Sequence, residues 1–205
     1  MSDRTVIGLE GLPFTGKSSV AAALQEAFPA VSVIADYHEL LPPAERVVLA
    51  ALSDSAADQR QRVEMYRDLD DRRWKLADQA EGTTVVLDRC FVSIAAYRVA
   101  LHRTFGTTVW HSAGRAAAAI SCERPVPPLI VHLAVGVDIA VDRHRRLSTT
   151  IDSRLQTSEF LSNLITAYTE VLSRCGSTVV SIDSNRDLPT VIHTAKEHLH
   201  ALIHP

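Results

Sequence analysis

Residues 11 to 18 read Gly-Leu-Pro-Phe-Thr-Gly-Lys-Ser, two glycines separated by four residues and followed at once by a lysine and a hydroxyl. This is the spacing G-x-x-x-x-G-K-[ST] of a phosphate-binding loop. Backbone N–H groups of Gly11, Phe14, Thr15 and Gly16, with the positive end of the helix that begins at Lys17, converge on phosphate oxygens. Lys17 reaches the β- and γ-phosphates and Ser18 offers its hydroxyl to Mg²⁺. Ser19 either faces the α-phosphate or lies on the helix surface. The expected ligands are therefore ATP and Mg²⁺, but such a loop names a bound nucleoside triphosphate rather than a reaction.

Two acidic positions narrow the chemistry. The apolar run Val85–Leu87 ends in Asp88-Arg89. An acid at the end of a strand beside the glycine loop suits Mg²⁺, and Arg89 presents a fork to a second phosphate or a hydroxyl. The alternative is a helix-cap acid beside a surface arginine. The second apolar run ends in Asp36-Tyr37-His38-Glu39. Asp36, or Glu39 if the loop folds inward, is placed to take the proton of an attacking hydroxyl; a cap or turn acid is the equal alternative. Tyr37, Tyr66, Trp74 and Trp110 are candidates for ring stacking or for core packing.

The elements that must carry these groups follow from periodicity. Short β-branched or apolar runs at Thr5–Leu9, Val31–Ala35, Thr84–Leu87, Leu129–Ala134 and Thr178–Ile182 read as strands. Helical stretches lie between them at 17–28, 43–51, 57–80, 92–103, 114–122, 139–147, 159–175 and 188–202. Alternating β and α segments predict an α/β fold, a three-layer α/β/α arrangement around a five-stranded parallel sheet. The whole chain, 1–205, reads as one domain. Polar stretches at 104–112 and 148–158 are candidate lids, since ligands bind at the carboxyl ends of such strands.

Composition excludes several partners. The formal net charge is −3 and the pI about 6.3, which leaves no bulk basic field for polymeric nucleic acid or an anionic membrane. Phosphate recognition must be local, and 18 of the 21 basic residues are arginine. Cys90, Cys122 and Cys175 are scattered without a C-x-x-C, and His38, His102, His111, His132 and His144 show no metal spacing. The N-terminus lacks the pattern of a signal peptide and no run of ~18 apolar residues suggests a membrane span. A cytoplasmic protein is expected.

The stretch Asp88-Arg89-Cys90-Phe91-Val92-Ser93-Ile94-Ala95-Ala96-Tyr97 resembles the thymidylate kinases, which carry a strand-ending D-R, an aromatic, a Ser and an A-A-Y. Leu9-Glu10-Gly11 resembles the E-G that opens their glycine loop, and Asp71-Arg72 their helical D-R. Asp142-Arg143-His144-Arg145-Arg146 resembles their Arg-rich lid, here about 143–158. The resemblance extends to the helix at 160–168 and the last strand. It implies a nucleoside-monophosphate-kinase-like site. Arg72 and Arg89 would hold the polar head of the acceptor, and Ser93 and Tyr97 would line its pocket with Asp36 and Tyr37. Arg143, with Arg145 or Arg146, would close over the transferring phosphoryl. Tyr97 as a core aromatic and Arg72 on a solvated helix face are the alternatives. The resemblance also implies homodimerisation through Ala95, Ala96, Val99 and Ala100, with a helix packed on the sheet as the alternative source of the same pattern.

Three departures bear on the acceptor. Pro13 and Phe14 stand where the family has Asp and Gly, Asp68 where it has a thymine-stacking Phe, and Ile94 where it has an amide. The expected function is ATP-dependent transfer of the γ-phosphoryl to a nucleotide or related small molecule. The alternatives are a kinase of a nucleoside or non-nucleotide hydroxyl compound, or an ATP-binding regulatory protein.

Overall fold

The computed structural model describes residues 4–50, 52–53, 55–106, 124–147 and 152–203. Five strands, β1 (Thr5–Gly11), β2 (Val31–Ile34), β3 (Thr84–Asp88), β4 (Leu129–Ala134) and β5 (Thr178–Asp183), form one parallel sheet in the order β2-β3-β1-β4-β5. The described helices are α1 (Lys17–Ala27), α2 (Pro43–Ala50), α3 (Ala56–Gln79), α4 (Phe91–Phe105), α5 (Val137–Leu147), α6 (Ser158–Leu172) and α7 (Leu188–Ile203). Short 3₁₀ turns at Tyr37–Leu40 and Ser153–Gln156 were not foreseen from periodicity, which four residues are too few to express. The helix expected at 114–122 lies outside the described residues, as do Trp110, His111, Cys122 and parts of both candidate lids. No described helix is long and apolar enough to cross a membrane.

The central strands are apolar on both faces because helices cover both. Alternation divides their side chains: Ile7, Leu9, Val86, Val131 and Leu133 pack beneath α1 and α7, whereas Val85, Leu87 and Ile130 pack beneath α4 and α6. The same alternation turns Asp88 toward the α1 side and Glu10 toward α4. Ala95, Ala96 and Ala100, implied as a dimer seam, are already buried within the chain, and α4 packs closely on α6.

Two buried charges hold the carboxyl ends of the strands. Glu10, wholly buried, accepts from the Cys90 N–H at 2.7 Å and from the Ser93 hydroxyl, placing a carboxylate at the positive end of α4. Arg73, also wholly buried, donates to the Ala35, Asp88 and Arg89 carbonyls at 2.9, 2.8 and 2.8 Å. It thereby ties the end of β2 to the end of β3, and its guanidinium lies 4.3 Å from the centre of the Tyr37 ring.

His132 on β4 stacks on Tyr168 at 5.5 Å, with its Nε2 buried and unpartnered. Burial, then the Lys17 charge, pull its pKa down to about 4. The unfolded chain binds this proton more readily, so stability from the neutral ring is present above pH 6.5 and lost as the pH falls through 4. In urea titrations, His132→Gln is expected to flatten the fall in stability between pH 7 and 4.5 by roughly 2 kcal/mol relative to the parent.

Candidate active site

The register of β1 on β3 sets Leu9 opposite Asp88, so the glycine loop leaves β1 beside the turn that follows β3. Gly11 has φ +144°, and a Cβ there would stand 2.7 Å from the Leu133 carbonyl oxygen. Gly16 begins α1 in a left-handed conformation with no side-chain cap, which leaves the first-turn N–H groups of α1 for a ligand. Phe14 also has positive φ, 61°. Thr15 Oγ1 donates to the Leu12 carbonyl at 2.9 Å and closes the loop. Lys17 Nζ reaches the same carbonyl at 2.7 Å. Burial first, and then Arg89, lower the Lys17 pKa to about 7, against the opposing pull of Asp88, Asp36 and Glu10. A polyanion delivered to this ammonium would restore its charge. Ser19 is exposed on the same turn.

Ser18 Oγ donates to Asp88 Oδ2 at 2.8 Å, and Asp88 Oδ1 is buried without a partner. A hydroxyl and a carboxylate with an unused oxygen form a hard-oxygen set that fits Mg²⁺. The glycine loop, whose backbone leaves no room for a side chain at Gly11, fits the phosphates of ATP.

Across the turn, Arg89 occupies left-handed backbone, φ 69°, a conformation that costs a non-glycine residue about 1 kcal/mol. Its Nε donates to Asp36 Oδ2 at 3.0 Å and its NH1 to the Gly11 carbonyl at 3.1 Å and to Ser93 Oγ at 3.3 Å. Burial alone would raise the Asp36 pKa; Arg89, helped by His38, Arg73 and Lys17, outweighs it and holds the carboxyl below its ordinary value. Asp36 Oδ1 is buried with no partner. Lys17, Asp36, Asp88 and Arg89 thus share one polar cluster.

This cluster opens into a cavity of about 380 Å³ whose wall includes Pro13, Tyr37, His38, Ser93 and Tyr97. Ser93 and Tyr97 both line it, although the Ser93 hydroxyl is also held by Glu10 and by Tyr168 at 2.9 Å. Tyr37 contributes its ring, while its hydroxyl donates to buried Asp70 at 2.8 Å. Ile94, at the amide position of the resemblance, lines the wall. Asp68, at the stacking position, is exposed and paired with Arg67. Tyr66, edge-on to Tyr37 at 5.5 Å, supplies an aromatic wall instead.

Three expected residues do not line this cavity. Arg72 is exposed and does not line the cavity; a helix turns ~100° per residue, and the next position, Arg73, is the one directed inward. Arg143 reaches back from α5 to the Ser184 carbonyl at 2.8 Å and the Phe14 carbonyl at 3.5 Å, bracing the outside of the glycine loop rather than facing the cavity. Arg146 is exposed and pairs with Asp142 at 3.0 Å one turn back. From this helix it is His144, unforeseen as a site residue, that turns inward. It is 1 % exposed, packs edge-on to Phe14 at 4.9 Å and lines the cavity. Gln59, Arg62 and Arg98 complete the far wall. None of the three belongs to a motif, although Arg98 directly follows Tyr97 and Gln59 and Arg62 share a helix with Asp71-Arg72, so only their spacing on inward helix faces carried a signal.

A family profile described as an AAA domain matches residues 6–184. No curated protein matches the sequence. Among solved structures, deoxyadenosine kinase from M. mycoides with bound dATP superposes with a TM-score of 0.73 at 15 % identity, over 96 % of this chain and 100 % of that one. Thymidylate kinase from Candida albicans superposes with a TM-score of 0.71 at 17 % identity, over 97 % of this chain and 92 % of that one. At these identities the likeness is one of fold.

The contrast between adjacent arginines is testable by chemical denaturation. Arg73→Met strands three buried carbonyls and is expected to cost about 2–4 kcal/mol, whereas Arg72→Ala is expected to stay within about 0.5 kcal/mol of the parent.

Proposed function

The chain belongs to the AAA-domain family of P-loop proteins, and from that premise we propose that it is an Mg·ATP-dependent kinase of a small hydroxylated acceptor, a nucleoside or a comparable molecule. The observation that carries this reading is Asp36. One of its oxygens holds Arg89 while the other is buried and unpartnered, on a residue that lines the cavity together with Pro13 of the glycine loop. Bound ATP with Mg²⁺ supplies the transferable phosphoryl group and the divalent charge that shields its oxygens, held by residues 11–18 together with Asp88.

The chain's own groups then have distinct tasks. Asp36 stays ionised at neutral pH because Arg89 faces it, so its free oxygen can orient an acceptor hydroxyl and take its proton as that oxygen bonds to the γ-phosphorus. The bond from the γ-phosphorus to the bridging oxygen breaks in the same exchange, and ADP leaves with the bonding pair. Lys17 and Arg89, both largely buried, place positive charge where negative charge spreads in the transition state. The apolar walls exclude water that would otherwise compete as acceptor.

A monophosphate acceptor, as in a thymidylate kinase, is the second reading, favoured by the Arg89 fork. Arg89 is already committed to Asp36, however, and Arg72 lies outside the cavity, which leaves a phosphate placed beside Asp36 with one shared arginine. A ³¹P NMR or mass-spectrometric assay with Mg·ATP over nucleosides, nucleoside monophosphates and other alcohols separates the two.

Lys17→Ala is expected to lower turnover by at least ~10²-fold. Asp36→Asn is expected to lower kcat by ~10²–10⁴-fold while calorimetric ATP affinity stays near that of the parent. Undiminished turnover in Asp36→Asn would remove the carboxylate from the mechanism.

A further inference from the structure

The end of the cavity remote from Lys17 and Asp36 is closed by Gln59 and Arg62, in the first two turns of α3, and by Arg98, about two turns along α4. All three are at least nine-tenths buried, with 0, 9 and 6 % of their surface exposed. Gln59 is spent at both ends of its amide: Nε2 donates to the Ser53 carbonyl at 2.7 Å, and Oε1 accepts from Arg98 NH1. Arg62 NH1 is buried with no hydrogen-bond partner. Among the described residues neither guanidinium forms an ion pair with a carboxylate. Burial pushes the Arg98 pKa down; Tyr66 opposes this and the neighbouring Arg62 adds to it.

The remaining charges on the wall cancel. Arg89 is matched by Asp36 at 3.0 Å, and Asp152 by Arg154 at 2.9 Å. His38 and His144 are both held toward neutrality, chiefly by burial. Among the described residues two positive charges are thus left over at one end of the chamber, side by side and buried. A folded chain bears such a pair at a cost unless an anion completes it, and functional sites are where that cost is retained. Between this end and Asp36 the wall is apolar, formed by Leu49, Leu52, Ile94 and Leu101 with the rings of Tyr66 and Tyr97.

We propose that the acceptor carries an oxyanionic group, a carboxylate or a phosphonate-like group, seated on Arg62 and Arg98, with an apolar body between that group and the hydroxyl presented to Asp36. The hydroxyl end rests on the kinase reading above; the oxyanion end rests on the two unmatched guanidiniums. Their planar forks suit paired oxygens, and Gln59 positions one of them. The acceptor is thus distinguished from a neutral nucleoside by charge at its far end.

The test uses matched alcohols that differ only at that end: 4-(hydroxymethyl)benzoate, 4-(hydroxymethyl)phenylphosphonate and the neutral 4-(hydroxymethyl)benzamide. Product is measured with Mg·ATP, alongside thymidine and deoxyadenosine. In the parent protein at least one anionic compound is expected to exceed the amide at least tenfold in kcat/KM, and the better of the two identifies the oxyanion. Arg62→Gln and Arg98→Gln are expected to bring the ratio toward one.

A second arm needs no turnover. With Mg·ADP saturating the glycine loop, 3-phenylpropanoate is expected to raise the Tm of the parent, and 3-phenylpropanamide to leave it unchanged. Either arginine variant should lose the carboxylate response while melting, unliganded, at or above the parent. Equal response to acid and amide in this arm, or faster turnover of a neutral nucleoside than of every anionic alcohol, overturns the proposal. If Mg·ATP binds yet no alcohol is phosphorylated, the kinase reading fails, and the Tm arm still decides the oxyanion site.

Discussion

The pairing of β1 with β3, Leu9 opposite Asp88, is the constraint from which the site follows. Because the two strands run parallel and end together, the glycine loop and the Asp88-Arg89 turn emerge side by side. Ser18 meets Asp88 across that junction, and Arg89 reaches both the Gly11 carbonyl and Asp36. A shift of one residue in this register would turn Asp88 to the opposite face of the sheet, beside Glu10 rather than beside Ser18. Phosphate cradle, magnesium-suited oxygens and acid-arginine pair are one consequence of how two neighbouring strands align.

That alignment is maintained by charges that do no chemistry themselves. Glu10 anchors the start of α4 from beneath the sheet, and Arg73 binds three carbonyls at the ends of β2 and β3. Each is fully buried and hydrogen-bonded, the condition under which an interior charge holds a geometry instead of weakening it. Arg89 can occupy left-handed backbone because Arg73 holds its carbonyl and Glu10 holds the N–H of the residue after it. Of the buried side-chain atoms without a hydrogen-bond partner, those on Asp36, Arg62 and His144 belong to residues that line the cavity, and Asp88 Oδ1 belongs to the metal-suited pair.

The cavity itself depends on the length of α3. Its 24 residues span ~36 Å, more than the sheet can cover, so its first turns overhang the strand ends and face α4 and the 3₁₀ turn after β2. Tyr66, Arg62 and Gln59 come from this overhang, as a lining that the sheet alone could not provide.

Strand order apart, the fold was legible in the primary structure: the positions of the five strands and of most helices agree to within a few residues, because hydrophobic period and glycine or proline punctuation are local properties. The glycine loop, Asp88-Arg89 and Asp36 were equally legible, since each sits at a strand end where a motif or an abrupt change from apolar to acidic marks it. The far wall was not. Arg72 and Arg73 are neighbours of the same type, and which of them turns inward depends on the azimuth of α3 against β2 and β3. Likewise, whether Arg143 or His144 faces the cavity is set by the rotation of α5. Local sequence determines where the chain turns helical and where it offers phosphate-binding backbone; which face of a long charged helix looks at the ligand is decided by packing between segments far apart in the chain.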